Sequence, residues 1–230
     1  MVRPKNSAME NKEFDIYPEY TGTAWNMVLK KDGVYTEDLF TTLQDEYQNL
    51  LQMEWLGMYG FNNTYGLAVR KEIAEKYNLK TYSDLKTVAS QLVFGAEYDF
   101  YEREDGYEAL CNSYGLSFKE TRDMEIGLKY QAINQKEIDV MVVFTTDGQL
   151  SASDITVLKD DKNFFPSYLC GNVIRLEVLN EHPELKDVFE NLTNIISDED
   201  MAKMNYMVET EGKEPREVAK MCLKNAGLIK

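Results

Sequence analysis

The run VMVVF at residues 140–144 is continuously apolar and follows directly on the amphipathic stretch MEIGLKYQAINQKEID. Five apolar residues leave no face for water, so the run reads as a strand covered on both sides, as in parallel sheets flanked by helices. A helical stretch feeding a buried strand is half of a βαβ unit, and the pattern recurs. A strand is expected at Tyr65 to Val69, before KEIAEKYNLKTYSDLKTVASQL, which reads as two short helices with Ser83 as a cap. LVFGAEYDF reads as a strand, followed in YEREDGYEALCNSYGL by a polar loop and a helix. Two further strands are expected in DITVLKDDKNFFPSYLCGNVIRLEVL, and helices beyond it, with Ser197 and Glu214-Pro215 marking starts. Upstream, VYTEDLFTTLQDEYQNLLQMEWL reads as one helix, with Leu39, Leu43, Tyr47, Leu50 and Leu51 near helical spacing. Alternating strands and helices predict an α/β fold with mixed, mostly parallel sheets.

At 230 residues the chain suits one large domain or two lobes of roughly 100–120 residues each. No Pro/Gly/Ser linker divides it, so two lobes must be joined by crossing segments. NNTYGLAVR is the expected crossing and FFPSYLCGNVIR the return, which gives a first lobe of 1–62 with 170–230 and an inserted second lobe of 63–169. Forty acids against 25 bases leave a net charge of −15, which argues against nucleic acid as a partner, since phosphate contacts need clustered Lys and Arg. No run of 18 apolar residues is present, and MVRPKNSAMENKEF lacks the apolar core of a signal peptide.

Chemistry-bearing residues are sparse. Cys111, Cys170 and Cys222 are far apart in no metal-like spacing, and His182, beside Pro183 at an expected helix start, is the single histidine. That argues against a zinc site and against a Ser-His or Cys-His mechanism, and no Gly-rich phosphate loop is present. No catalytic residue, metal or cofactor is expected.

Aromatic residues are more informative. In FDIYPEYTGTAW a strand over Phe14 to Ile16 is expected to end at Pro18, which has no N–H for a ladder. Thr21-Gly22-Thr23-Ala24 then reads as a turn feeding a helix, with Thr23 its cap and Gly22 free to take an unusual φ. Tyr17 and Tyr20 stand at the mouth of this turn, where an aromatic either packs the core edge or binds a ligand. Tyr20, Tyr65, Phe144 and Tyr168 all fall at the ends of expected strands, where open α/β sheets bind ligands. Several converging aromatic faces suit a quaternary ammonium group, which has no N–H to donate and is held by cation–π attraction.

DIYPEYTGTA, GFNNTY, FYEREDGY, VVFTTDGQL and DDKNFFPSY, in this order and spacing, resemble the substrate-binding proteins of ABC importers for compatible solutes, the glycine betaine, choline and carnitine binders with their permease-fused relatives. The resemblance runs from about residue 8 to the C-terminus. It implies a two-lobed periplasmic-binding-protein fold of type II that closes on its ligand, a non-catalytic role, and an extracytoplasmic location beside an ABC permease. It further implies an aromatic cage between the lobes, by position Tyr20, Tyr65, Phe144 and Tyr168, with Thr23 at the ligand's polar tail. Phe144 stands where many relatives carry tyrosine. Arg103 matches the arginine that pairs with a ligand carboxylate, a role its planar fork suits, though a surface ion pair with Glu102, Glu104 or Asp105 is the alternative. Asn63, two residues before Tyr65, either meets the ligand or ties down its loop. Relatives open with a strand–helix–strand that is missing here, so an uncovered edge in the first lobe and self-association are expected. The competing functions are an enzyme or a ligand-sensing effector domain on the same bilobal fold.

Overall fold

The computed structural model describes residues 8–9, 11–103 and 106–230 and divides into two compact units, Met1–Asn63 with Pro166–Lys230, and Thr64–Phe165. In the first unit, β1 (Ile16–Tyr20) runs straight into α1 (Thr21–Thr23), which continues through Ala24–Val28 as a wider turn closed by the Leu29 N–H on the Ala24 carbonyl, 2.9 Å. The strand does not stop at Pro18. Hydrogen bonds from Thr21 N–H to the Leu169 carbonyl and from Arg175 N–H to the Asp15 carbonyl fix which positions face the partner strand. Pairs alternate along an antiparallel ladder, so the Pro18 nitrogen points outward, where no donor is needed.

The expected single helix over 34–56 is shorter than its apolar spacing suggests. Residues Phe40–Glu46 form α2, which widens through Tyr47–Leu51 and ends at Gln52, whose φ of 56° is left-handed. Met53–Leu56 is a strand, β2. Tyr47, Trp55 and Met53 are all buried in one core with Leu43, Tyr17 and Val173, and the Tyr47 and Trp55 rings meet edge-on at 5.4 Å. Helical and strand periods overlap in a short apolar run, and here packing chose.

The second unit contains β3 (Tyr65–Arg70), α3 (Lys71–Tyr77), β4 (Val93–Ala96), α4 (Tyr98–Glu102), α5 (Tyr107–Tyr114), β5 (Glu120–Asp123), α6 (Ile126–Asn134), β6 (Val140–Phe144) and β7 (Ile155–Leu158). Its sheet has the order β5-β4-β6-β3-β7. A core of Leu67, Val69, Phe94, Leu110, Val140 and Val142 fills one face, and Ala68, Ile133, Ile138 and Met141 fill the other. That two-sided cover is why VMVVF is apolar throughout. β5, with the sequence Glu-Thr-Arg-Asp, is a polar edge strand with no hydrophobic signal. Ser83 is not the expected helix cap. The Asp84 carboxylate accepts the Lys80 and Thr81 N–H groups at 2.9 and 2.8 Å, while the Ser83 hydroxyl donates to Asp161.

The chain then returns to the first unit as β8 (Cys170–Arg175), followed by α7 (Leu176–Glu181), α8 (Glu184–Glu190), α9 (Asp198–Glu209) and α10 (Pro215–Asn225). Ser197 caps α9 in a reciprocal box with Asp200, and Pro215 opens α10. β8 lies between β1 and β2 and is antiparallel to both. Both sheets are helix-flanked; that of the first unit is antiparallel and that of the second is mixed, so neither is mostly parallel as expected. Among the described residues, parallel ladders are confined to β4–β5 and β4–β6, with one isolated parallel bridge at Thr81–Lys159. A chain that leaves through one strand and comes back through its neighbour must reverse, and strand–helix alternation carries no record of that reversal.

Candidate functional site

Each unit carries its own set of the expected site residues. In the second unit, Tyr65 opens β3 and Phe144 closes β6, and the antiparallel register makes them direct partners. Their rings stack at 4.7 Å with 30° between planes. Phe165 and Phe100, both buried, back the tyrosine at 5.5 and 5.8 Å. The Arg103 guanidinium, at the end of α4, lies 5.9 Å from the Tyr65 ring centre on an exposed side chain. Glu104 and Asp105, its alternative ion-pair partners, lie outside the described residues. The arrangement presents a half-buried double aromatic face with a fixed cation beside it, suited to a ligand carrying both an organic cation and an anion.

In the first unit, Tyr20 closes β1 opposite Cys170, and its hydroxyl is hydrogen-bonded by the Asn63 side chain. Burial and the neighbouring Cys170 push that hydroxyl's pKa upward, so it stays a neutral donor and acceptor. Tyr168 is held through its backbone. Its N–H donates to the Asn62 amide oxygen at 2.6 Å, and its carbonyl accepts the Asn63 N–H at 3.1 Å. The Tyr168 ring lies on Gly22, where a Cβ would come within 2.8 Å of the ring and of the Ser167 carbonyl. Gly22 is therefore required for close approach. It does not take the expected unusual φ, since it is absent from the left-handed glycines and sits in α1.

The structure also changes the reading of Thr23 and Asn63, and it decides the open one of Tyr17. Thr23 is helical at φ −63° and ψ −45° and makes no capping hydrogen bond, because α1 follows β1 without an intervening turn. Tyr17 is a core residue, hydrogen-bonded with Tyr47 and Glu19. Asn63 precedes β3, so no strand face relates it to Tyr65. Asn63 and Tyr168 group with the first unit, whereas the expected second lobe of 63–169 held both, because their backbone bonds tie 166–169 to that unit. Sequence reasoning missed Asn62, Phe100 and Phe165. Only the doubled aromatic in FFPSY hinted at the last.

Among the described residues, no group of three or more His, Cys, Asp or Glu could hold a metal ion, and no helix is long and apolar enough to cross a membrane. Residues 5–225 match the OpuAC family, described as the substrate binding domain of ABC-type glycine betaine transport system. The chain is 43% identical over 96% of its length to the ergothioneine transport permease/ergothioneine binding protein EgtU of Helicobacter pylori, of which it spans 40%. It is 37% identical over 94% of its length to the carnitine transport binding protein OpuCC of Listeria monocytogenes, covering 71% of that protein. A crystal structure described as a glycine betaine/carnitine/choline ABC transporter superposes with a TM-score of 0.92 at 37% identity, over 97% of this chain and 83% of that one. With its two helix-flanked sheets, its paired aromatic faces and this match across nearly its whole length, the chain belongs to the OpuAC family of ABC-transporter substrate-binding domains.

Proposed function

We propose that this chain captures a quaternary ammonium solute outside the cytoplasm and delivers it to an ABC permease at the membrane, with Tyr20, Tyr65, Phe144 and Tyr168 supplying the aromatic faces. The observation that carries this is the stacked Tyr65–Phe144 pair with the Arg103 guanidinium beside it. A trimethylammonium head is attracted to the rings, and a carboxylate on the same molecule pairs with the arginine. Asn63 and Thr23 are assigned to the polar side of the ligand. No step of bond making or breaking is part of this role.

Glycine betaine, carnitine and ergothioneine each combine a trimethylammonium with a carboxylate, whereas choline has none. The relative at 43% identity is named for ergothioneine, which favours placing that solute in the panel. Calorimetric titration of the chain with these four solutes tests the reading. Saturable binding of a carboxylated member is the expected result, and no heat from any of the four overturns it. Weak self-association through the outer side of β1 belongs to the same proposal.

A further inference from the structure

We propose that Lys129 is a positioning residue for the ligand-binding face of the second unit, acting through the fork where β4 and β6 part. The proposal rests on the functional reading above. β4 pairs with β6 only at Phe94–Val140 and Gly95–Met141, after which β4 turns away into α4. The Val142 carbonyl lies just past this ladder, on the strand that ends at Phe144. Glu97 lies on the other arm as the residue immediately before α4, which carries Phe100 and leads to Arg103.

Lys129 reaches into that gap from α6. Its side chain is 1% exposed, and its ammonium donates to the Val142 carbonyl at 2.6 Å and pairs with the Glu97 carboxylate at 2.5 Å. A buried ammonium is costly to desolvate, and a pair of similar apolar side chains would often be as stable or more so. What an apolar pair cannot supply is a hydrogen bond to the Val142 carbonyl on one arm together with a charge pair to Glu97 on the other. The next residue repeats the device. The buried Tyr130 hydroxyl donates to Asp147 at 2.8 Å, and the same carboxylate oxygen accepts the Phe144 N–H at 3.4 Å. One turn of α6 thus ties down the aromatic end of β6 and the arm bearing Phe100 and Arg103. Lys129 touches no ligand in this scheme; it fixes the spacing of the groups that do.

The test uses the full chain with Lys129→Met combined with Glu97→Gln, which removes the pair without leaving an unpaired buried charge. Hydrogen exchange is read at the Phe100 and Arg103 amides, which donate to the Glu97 and Asp99 carbonyls, with the Leu67 amide in the core as reference. Exchange at Phe100 and Arg103 is expected to be about tenfold faster than in the parent chain with Leu67 unchanged, since local opening needs no global unfolding. Binding of glycine betaine should weaken about tenfold and that of choline less, because only the former depends on Arg103. Unchanged exchange at Phe100 and Arg103, or equal acceleration at Leu67, overturns the positioning role. Should the double variant not fold, Glu97→Gln alone is read in the same way. If the parent chain binds none of the solutes, the functional reading fails, while the exchange comparison still decides whether Lys129 holds the fork.

Discussion

At the scale of single residues, the Tyr65–Phe144 stack sets the cost of losing a face. Tyr65→Ala removes one ring from a 4.7 Å pair and is expected to weaken a trimethylammonium ligand by roughly 1–3 kcal/mol, or about 5–150-fold. Tyr65→Phe keeps the face and should stay close to the parent affinity; calorimetry distinguishes the two. Arg103→Ala should reduce glycine betaine binding and spare choline, because the charge-assisted pair exists only with a carboxylate. Equal losses for both solutes would assign Arg103 a structural role in its loop. Gly22→Ala places a methyl 2.8 Å from the Tyr168 ring and must displace it, an overpacking cost of about 1–3 kcal/mol that should appear as lost affinity in a folded variant. Far-ultraviolet circular dichroism beside the titration separates a moved ring from an unfolded unit.

At the scale of elements, α9 shows what a short motif can hold. The Ser197 side chain accepts the Asp200 N–H at 3.1 Å, and the Asp200 carboxylate accepts the Ser197 hydroxyl at 2.6 Å and its N–H at 3.2 Å. These bonds, the hydroxyl's first, hold the Asp200 carboxyl below its ordinary pKa. A lowered folded-state pKa means that the contribution is fully present above the unfolded carboxylate range and is lost as pH falls through the folded value. Ser197→Ala should therefore cost about 1 kcal/mol at neutral pH and less in acid, measured by urea unfolding at both. An equal cost at the two pH values would show that the box does not carry the cap. The Ser197 signal is readable in sequence because both partners lie within one turn. The Ser83 signal misled because Thr81 and Asp84 close this turn, each side chain accepting the other's N–H, and the Ser83 hydroxyl found Asp161 from a distant loop.

At the scale of the whole molecule, the proposed self-association would run through the outer side of β1, an edge strand of its sheet among the described residues. The positions facing away from β8 are Ile16, Pro18 and Tyr20. Pro18 has no N–H, and the Tyr20 N–H already donates to the Glu19 carboxylate at 2.8 Å. The edge keeps its carbonyl acceptors but offers few donors, which blunts it as a template for another strand. Self-association through β1 is therefore expected to be weak, and Pro18→Val, which restores a donor in a β-branched residue, should strengthen it. Light scattering over a concentration series compares the two chains, and identical mass curves would exclude β1 as the contact.

By itself the sequence determined what local pattern can encode. The continuous apolar run of β6, the aromatic positions at strand ends and the Ser197 and Pro215 helix starts each depend on residues close together in the chain. Five motifs in order also sufficed to place the chain in its family. Tertiary structure decided the rest, because the deciding partners are distant in sequence. Trp55 became a strand residue by packing with Tyr47 and Val173, Pro18 stayed in a strand because β8 paired on its other side, and Gly22 was fixed by a ring 146 residues away at Tyr168, counted from their positions. Strand direction belongs to the same class. Alternation of helices and strands names the layers of this fold, but only the way the chain comes back, through β8 in the first unit and through β6 and β7 beside β3 in the second, set which neighbours run antiparallel.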